Sequence, residues 1–238
     1  MNIFWLLILA HLIADFPLQS DKVFALKLKY KWGLFPHIFI HFITSLLVAL
    51  PYLKYRNFWI AIFCLVGAHF LLDWLKLIAT KKIIRDSLLI FLLDQLLHVF
   101  FIWLACFRLF DIPSPEINNP FLINYYLNNK IIFVLAGFIF SVFGGDVLFY
   151  YLRKFFFHHA DQKVIPSKIR KRVIGYAERF LATLGAILGG WFLILIPIVF
   201  IPRFVVHRKT ENQDFLMINL ITGLSISVGI GFLAHLLH

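Results

Sequence analysis

Apolar residues run in long, nearly unbroken stretches along this chain, and the polar residues gather between them. Against the ~20 residues needed to cross a bilayer, seven stretches stand out, near 2–16, 34–53, 57–79, 87–110, 130–152, 174–200 and 215–237. The first is short and is expected to start or end in the interface. The pattern predicts an all-α polytopic membrane protein of about seven helices. The longest polar stretch, Arg153 to Arg172, is too small for a folded domain. Function is therefore expected within or against the bilayer.

Composition sharpens that reading. The 238 residues are 61% hydrophobic and 15% charged, with 29 Phe and 6 Trp, and the mean hydropathy is +0.86. A soluble domain carries about a quarter charged residues and cannot hide so many aromatic rings. Disordered chains, disulfide scaffolds and ordinary soluble enzymes are excluded. Cys64 and Cys106 both lie in apolar stretches and imply no disulfide framework. The net charge of +11 reads as the Lys and Arg bias of cytoplasmic loops, with anionic lipid headgroups as partners and no nucleic acid. Fourteen Lys and Arg fall on one side, in the segments 17–33, 80–86 and 153–172, against six on the other. That places the N-terminus outside and the C-terminus inside, in a bacterial cytoplasmic (inner) membrane. No signal peptide is expected, because the start lacks a basic region and a small-residue cleavage site.

Ionisable residues inside apolar spans are expensive and are functional candidates by default. Here they are paired: His11 with Asp15, His37 with His41, His69 with Asp73, and Asp94 with His98. Residues four apart share one helix face, so each helix offers a two-ligand clip, the geometry of zinc-binding H-E-x-x-H helices. Random placement of the ten His and nine Asp of the chain predicts about 1.4 such pairs; four occur, one in each of the first four spans. They also repeat. His69 follows His11 by 58 residues and Asp94 follows His37 by 57, so residues 1–53 and 57–110 read as a duplicated helical hairpin. Residues 1–110 are then a four-helix metal-binding bundle, and 111–238 hold three further helices with the basic cytoplasmic loop 153–172. In spans 1 and 3 the pair sits near the C-terminal end, and in spans 2 and 4 near the N-terminal end. With alternating spans, all four pairs lie at one depth.

Five His and three Asp exceed one tetrahedral ion, so two divalent ions are expected, with Zn, Mn or Fe suited to mixed imidazole and carboxylate ligands. The metal ligands are His11, Asp15, His37, His41, His69, Asp73, Asp94 and His98. Lys76, one turn beyond Asp73, is a candidate for contacting a phosphate or for snorkelling to the interface. Gln95 is a candidate for orienting a ligand. In the later spans, Asp146 reads as a ligand or a packing hydrogen bond, and Glu178 and Arg179 as an internal pair.

The His-Leu-Ile-Ala-Asp-Phe-Pro-Leu-Gln start, the His69…Asp73 helix, the Asp94-Gln95…His98 helix and the Gly-Tyr-Ala-Glu-Arg of span 6 resemble a bacterial and phage membrane family. It is domain-of-unknown-function family 3307. The resemblance extends over most of the chain, and its specific part is the first hundred residues. More distantly, the clips resemble predicted membrane-bound metal-dependent hydrolases and, through them, zinc-dependent phospholipase C and related nucleases. That resemblance implies phosphoester hydrolysis with zinc as the metal. The expected function is a membrane-embedded metal-dependent hydrolase of a lipid-linked phosphoester or pyrophosphate at the cytoplasmic leaflet. Its catalytic residues would be Asp73 and Asp94, with an Asp as general base, and Lys76 and Arg179 neutralising phosphate. The alternatives are a divalent-cation or proton transporter or channel using the same pairs, a membrane di-iron oxidase, and a scaffold with a structural metal.

Overall fold

A computed structural model describes residues 2–30, 32–157, 169–194, 196–201 and 213–236. The described residues are helical, with no strand among them. They form two compact units, residues 1–136 and 137–238. Within the basic loop 153–172, residues 158–168 lie outside the described residues, as do Lys31, Arg203, Arg208 and Lys209.

The first unit is a closed ring of four helices. α1 (Asn2–Asp15) packs on α3 (Leu34–Val48), α3 on α4 (Arg56–Lys82), α4 on α5 (Leu88–Leu104), and α5 returns to α1. Local chemistry sets the ends. α1 stops at Asp15 because Phe16 precedes Pro17, and a residue before proline is pushed out of the helical region. α3 tolerates Pro36 in its first turn, where a missing N–H breaks no bond, and ends ahead of Pro51. α5 starts at Ser87, whose hydroxyl accepts the Ile90 N–H, and runs into a π-helical turn, Ala105–Leu109.

A helix absent from the hydropathy pattern lies between α1 and α3. α2 (Asp21–Lys29) is capped by Ser20, carries Asp21 in its first turn and Lys27 and Lys29 in its last, and packs against α3. Nine residues of mixed polarity give no membrane signal, so the segment had read only as a charged loop. Lys81 at the end of α4 donates to the Leu28 carbonyl at 2.8 Å and ties α2 to the bundle.

Among the described residues four helices are long and apolar enough to cross a membrane, and they mark the chain as an integral membrane protein. They are α4, α5 with its π turn, the run Asn129–Phe156, and Met217–Leu236. Three of the seven expected spans appear among the described residues as shorter apolar helices, Asn2–Asp15, Leu34–Val48 and Gly190–Ile201. α1 and α3 have 14 and 15 residues, or about 22 Å at 1.5 Å per residue, less than the ~30 Å hydrocarbon core. The expected span 174–200 is broken: α9 (Ile169–Leu188) ends at Gly189 and Gly190, with φ of +66° and +53°, before a 3-10 turn over Gly190–Ile194. Positive φ at consecutive residues is a conformation that glycine alone adopts without strain, and it stops the helix.

The remaining elements are α6 (Pro120–Leu127), α7 (Asn129–Ile139), a second π-helical turn Phe140–Gly144, α8 (Gly145–Phe157) and α10 (Gln213–Leu236). In the second unit α9 lies along α10, with Ala182, Ala186, Ile196 and Phe200 buried between Leu220 and Leu224. Gly231 lets the α10 backbone approach Ala186, since a Cβ there would collide with the Ala186 methyl and carbonyl. Ser141, Thr183 and Ser227 join in a fully buried hydroxyl chain, with bonds of 2.7 and 3.1 Å. Small residues and hydroxyls are what hold helices together where lipid removes the hydrophobic driving force.

This packing predicts opposite outcomes for two nearby glycines. Gly231→Ala forces the helices apart and should cost about 1–3 kcal/mol. Gly229, with nothing within 4 Å of a Cβ, should accept alanine at no cost or gain up to ~1 kcal/mol. Thermal unfolding of both variants in detergent measures the contrast.

Candidate metal centre

The four clips face one another across the axis of the first unit. His11, His37, His41, His69, Asp73, Asp94 and His98 are buried, and the Asp15 side chain is 11% exposed. Pairs at the end of α1 and in the latter half of α4 meet the pair in the first two turns of α3 and the pair near the middle of α5.

Donor atoms converge closely. The His37 Nε2 lies 3.3 Å from Asp15 Oδ1, 3.3 Å from Asp73 Oδ2 and 3.2 Å from His69 Nε2. His41 Nε2 is 2.9 Å from Asp15 Oδ1, and His69 Nε2 is 3.7 Å from Asp73 Oδ2. Ligands about 2.0–2.1 Å from a tetrahedral ion sit about 3.3 Å from one another, so these spacings match a metal shell. Two groups have ligand atoms all within 4.8 Å: Asp15, His37, His41 and His69, and again His69, Asp73 and His98. His69 is common to both, so with it counted in the second group six residues could offer three donor atoms to each of two positions. Three protein ligands is the number that leaves a coordination position open.

His98 carries the clearest sign of a ligand. Its Nδ1–H donates to the Asp94 carbonyl at 2.7 Å. A carbonyl only accepts, so Nδ1 carries a proton, and in the neutral imidazole the lone pair is then on Nε2. That Nε2 is buried with no hydrogen-bond partner among the described residues. Fixing the tautomer through Nδ1 is how proteins present imidazole to a metal. Gln19 lies 3.2 Å from His37 Nδ1, and the Gln95 amide donates to Asp15 Oδ2 at 3.2 Å. Gln95 thus orients the Asp15 carboxylate. A cavity of about 40 Å³, room for an ion or a water, adjoins His11, His41, His69 and His98.

The carboxylates are also paired with lysines. Lys76 donates to Asp94 Oδ2 at 2.7 Å, so it turns inward and does not snorkel. Lys27 of α2 donates to Asp73 Oδ2 at 2.5 Å. Two lysines pair two of the three carboxylates, and Asp15 is the one whose bonds among the described residues come from His and Gln side chains instead.

Two of the eight expected ligands fall outside both groups. Asp94 is bonded to Lys76, and His11 stacks on His98 with ring centroids 5.2 Å apart, its Nε2 3.5 Å from Asp15 Oδ2. Arg179 belongs to the second unit. There it donates to the Val142 carbonyl at 2.8 and 3.1 Å and to Asp146 at 2.5 Å. Asp146 thus makes the packing bond, and Arg179 pairs with it. Lys27 and Gln19 escaped the sequence reading. Lys27 had counted as an orienting loop charge, and only the cap at Ser20, followed by a lysine on the helix face three residues before the next aromatic, could have signalled it.

Four helices that bury paired His and Asp in an apolar ring define a class: an integral membrane protein with a buried polar centre whose groups could hold a metal ion. Residues 3–119 match the family model described as a protein of unknown function (DUF3307). The match spans the segment that bears all eight clip residues and stops short of the later helices, narrower than most of the chain. No curated protein and no solved structure matches the chain.

Lys27→Met should test the charge balance. Without metal it leaves the buried Asp73 carboxylate with imidazole neighbours but no ammonium, at a cost of about 3 kcal/mol. A divalent ion at Asp73 should recover most of that loss, so unfolding with and without chelator should separate the variant from the parent protein only in the metal-free state.

Proposed function

We propose that the first unit is a membrane-embedded metal-dependent hydrolase of lipid-linked phosphoesters or pyrophosphates. The observation that carries the reading is the buried, lone-pair-bearing Nε2 of His98 beside two three-ligand sets. Two divalent ions, with zinc best suited to the imidazole and carboxylate set, would supply Lewis acidity and a water acidified for attack. His11 would lie against the ligands and limit their movement.

The protein's own groups would do the rest. Lys27 and Lys76 line the carboxylate end of the site and are suited to phosphoryl oxygens, where an ammonium acts as a point charge. Asp94 stands outside both ligand sets and is the carboxylate left to accept a proton. As water adds to phosphorus its proton would pass to Asp94, and the departing ester oxygen would take one from Lys76. The 2.7 Å bond between Lys76 and Asp94 then lets the pair restore itself by one proton transfer. Arg179, committed to Asp146 and Val142, has no part in this scheme.

Transport is disfavoured by the walls beyond the imidazoles. Leu7, Leu65, Val66, Phe101 and Ile102 line the adjoining cavity, and Ser45 alone continues the polar path there. A permeating ion needs successive ligands.

Elemental mass spectrometry of detergent-purified protein should find about two equivalents of divalent metal, reduced in His41→Ala and Asp73→Ala. Lys76→Met should keep the metal and lower the turnover of a lipid phosphoester by about a hundredfold or more. Stoichiometric metal absent from protein purified without chelator would overturn the reading.

A further inference from the structure

α3 has two different faces. His37 and His41 point into the ring, while Phe35 and Phe39 on the opposite side are each 63% exposed. Phe35, Phe39 and Phe42 are spaced by four and three residues, which places them in one stripe along α3, and Trp32 lies in the turn just before it. Phe63 and Val66 of α4 face that stripe, and together they line an open groove of about 560 Å³ with almost no polar surface. From Phe35 to Phe42 the stripe runs about 10 Å at helical rise, and Trp32 extends the groove beyond the helix start, a length that stays within one leaflet of a ~30 Å hydrocarbon core. A single row of rings against one neighbouring helix is wide enough for one chain.

One end of the groove is marked chemically. The Tyr30 and Trp32 rings stack with centroids 5.1 Å apart, and the Lys29 ammonium lies 5.1 Å from the Tyr30 centroid. Stacked aromatics beside an exposed lysine are what a membrane–water boundary carries, with the cation at headgroup level. Lys29 ends the same short helix that delivers Lys27 to Asp73. The charged end of the groove and the lysine rim of the metal centre are therefore two parts of one element, α2.

We infer that the α3–α4 groove seats the hydrocarbon tail of a single-chain phosphate lipid, its headgroup held at the Lys29–Tyr30–Trp32 end. This deepens the hydrolase reading and rests on it for the phosphoester headgroup. The tail lies along the aromatic stripe, and the phosphate sits where α2 leads to Lys27. Substrate then arrives sideways from one leaflet, and a water-soluble phosphoester lacks the anchor.

The test uses the full chain in phosphatidylcholine vesicles and a dodecyl phosphate bearing a diazirine at the chain terminus. Photolabelling should concentrate on Phe39, Phe42, Phe63 and Val66. Unlabelled dodecyl phosphate should reduce it at least tenfold, while dodecanol and inorganic phosphate should not. Val66→Trp, which fills the inner end, should lower labelling about tenfold, and Lys29→Gln should weaken competition by dodecyl phosphate without changing that by dodecanol. Labelling spread evenly over the exposed faces of α4 and α5 would overturn the groove. So would equal competition by dodecanol, which reports ordinary annular lipid, or by inorganic phosphate, which reports a free-anion site. Chelator-treated protein separates the two ideas: groove labelling that persists there, with metal-loaded protein inactive on every phosphoester, leaves the tail site standing and removes the hydrolase.

Discussion

The carboxylate of Asp73 is 3% exposed inside a ring of apolar helices, and an unpaired charge in that setting is among the most expensive features a protein can hold. Much of the first unit follows from satisfying it and its two companions. Asp73 draws Lys27 inward from α2 and meets His37 from α3. Asp94 draws Lys76 across from α4, and Asp15 gathers His41 and Gln95 from α3 and α5. Each carboxylate is thus bonded to a helix other than its own. The same bonds that remove the penalty close the ring, so the polar centre and the arrangement of the helices are one problem with one solution.

The two units meet the membrane in different ways. The first buries charge and turns its bulky apolar side chains outward, as Phe35, Phe63 and Leu96 do at more than 60% exposed. Its α1 and α3 are too short to cross alone, and both bring their clips to the end where α2 lies. The second unit has no comparable cluster among its described residues. It relies on close backbone approach at Gly231, on hydroxyls passing a hydrogen bond from Ser141 to Ser227, and on Arg179 folded onto the carbonyl of Val142 within a π-helical turn. Such turns free backbone groups for side-chain partners, and here the partner is the neighbouring helix.

The four-residue spacing of the clips, their recurrence 57 and 58 residues later, and their common depth were all legible in the chain, because helical periodicity converts spacing into direction. The all-helical class was legible for a similar reason: no alternating pattern competes with the apolar runs. Span number was less so. Hydropathy sums side chains over a window and is blind to the backbone, so it carried one helix through Gly189 and Gly190 and extended another past Val48. α2 was missed because nine residues with three lysines resemble a loop until Ser20, Asp21 and the tertiary contact with α3 are considered together.

By itself the sequence determined which residues form the centre: eight ionisable side chains on four helices, all facing the same way at one level, since local geometry decides face and depth. Tertiary structure decided how they divide. That His69 lies within reach both of Asp15, His37 and His41 and of Asp73 and His98, while Asp94 bonds Lys76, depends on how four helices are rotated and slid against each other. So does the arrival of Lys27 from outside the ring. Rotation and slide are set by packing summed over whole helices, which no local spacing contains.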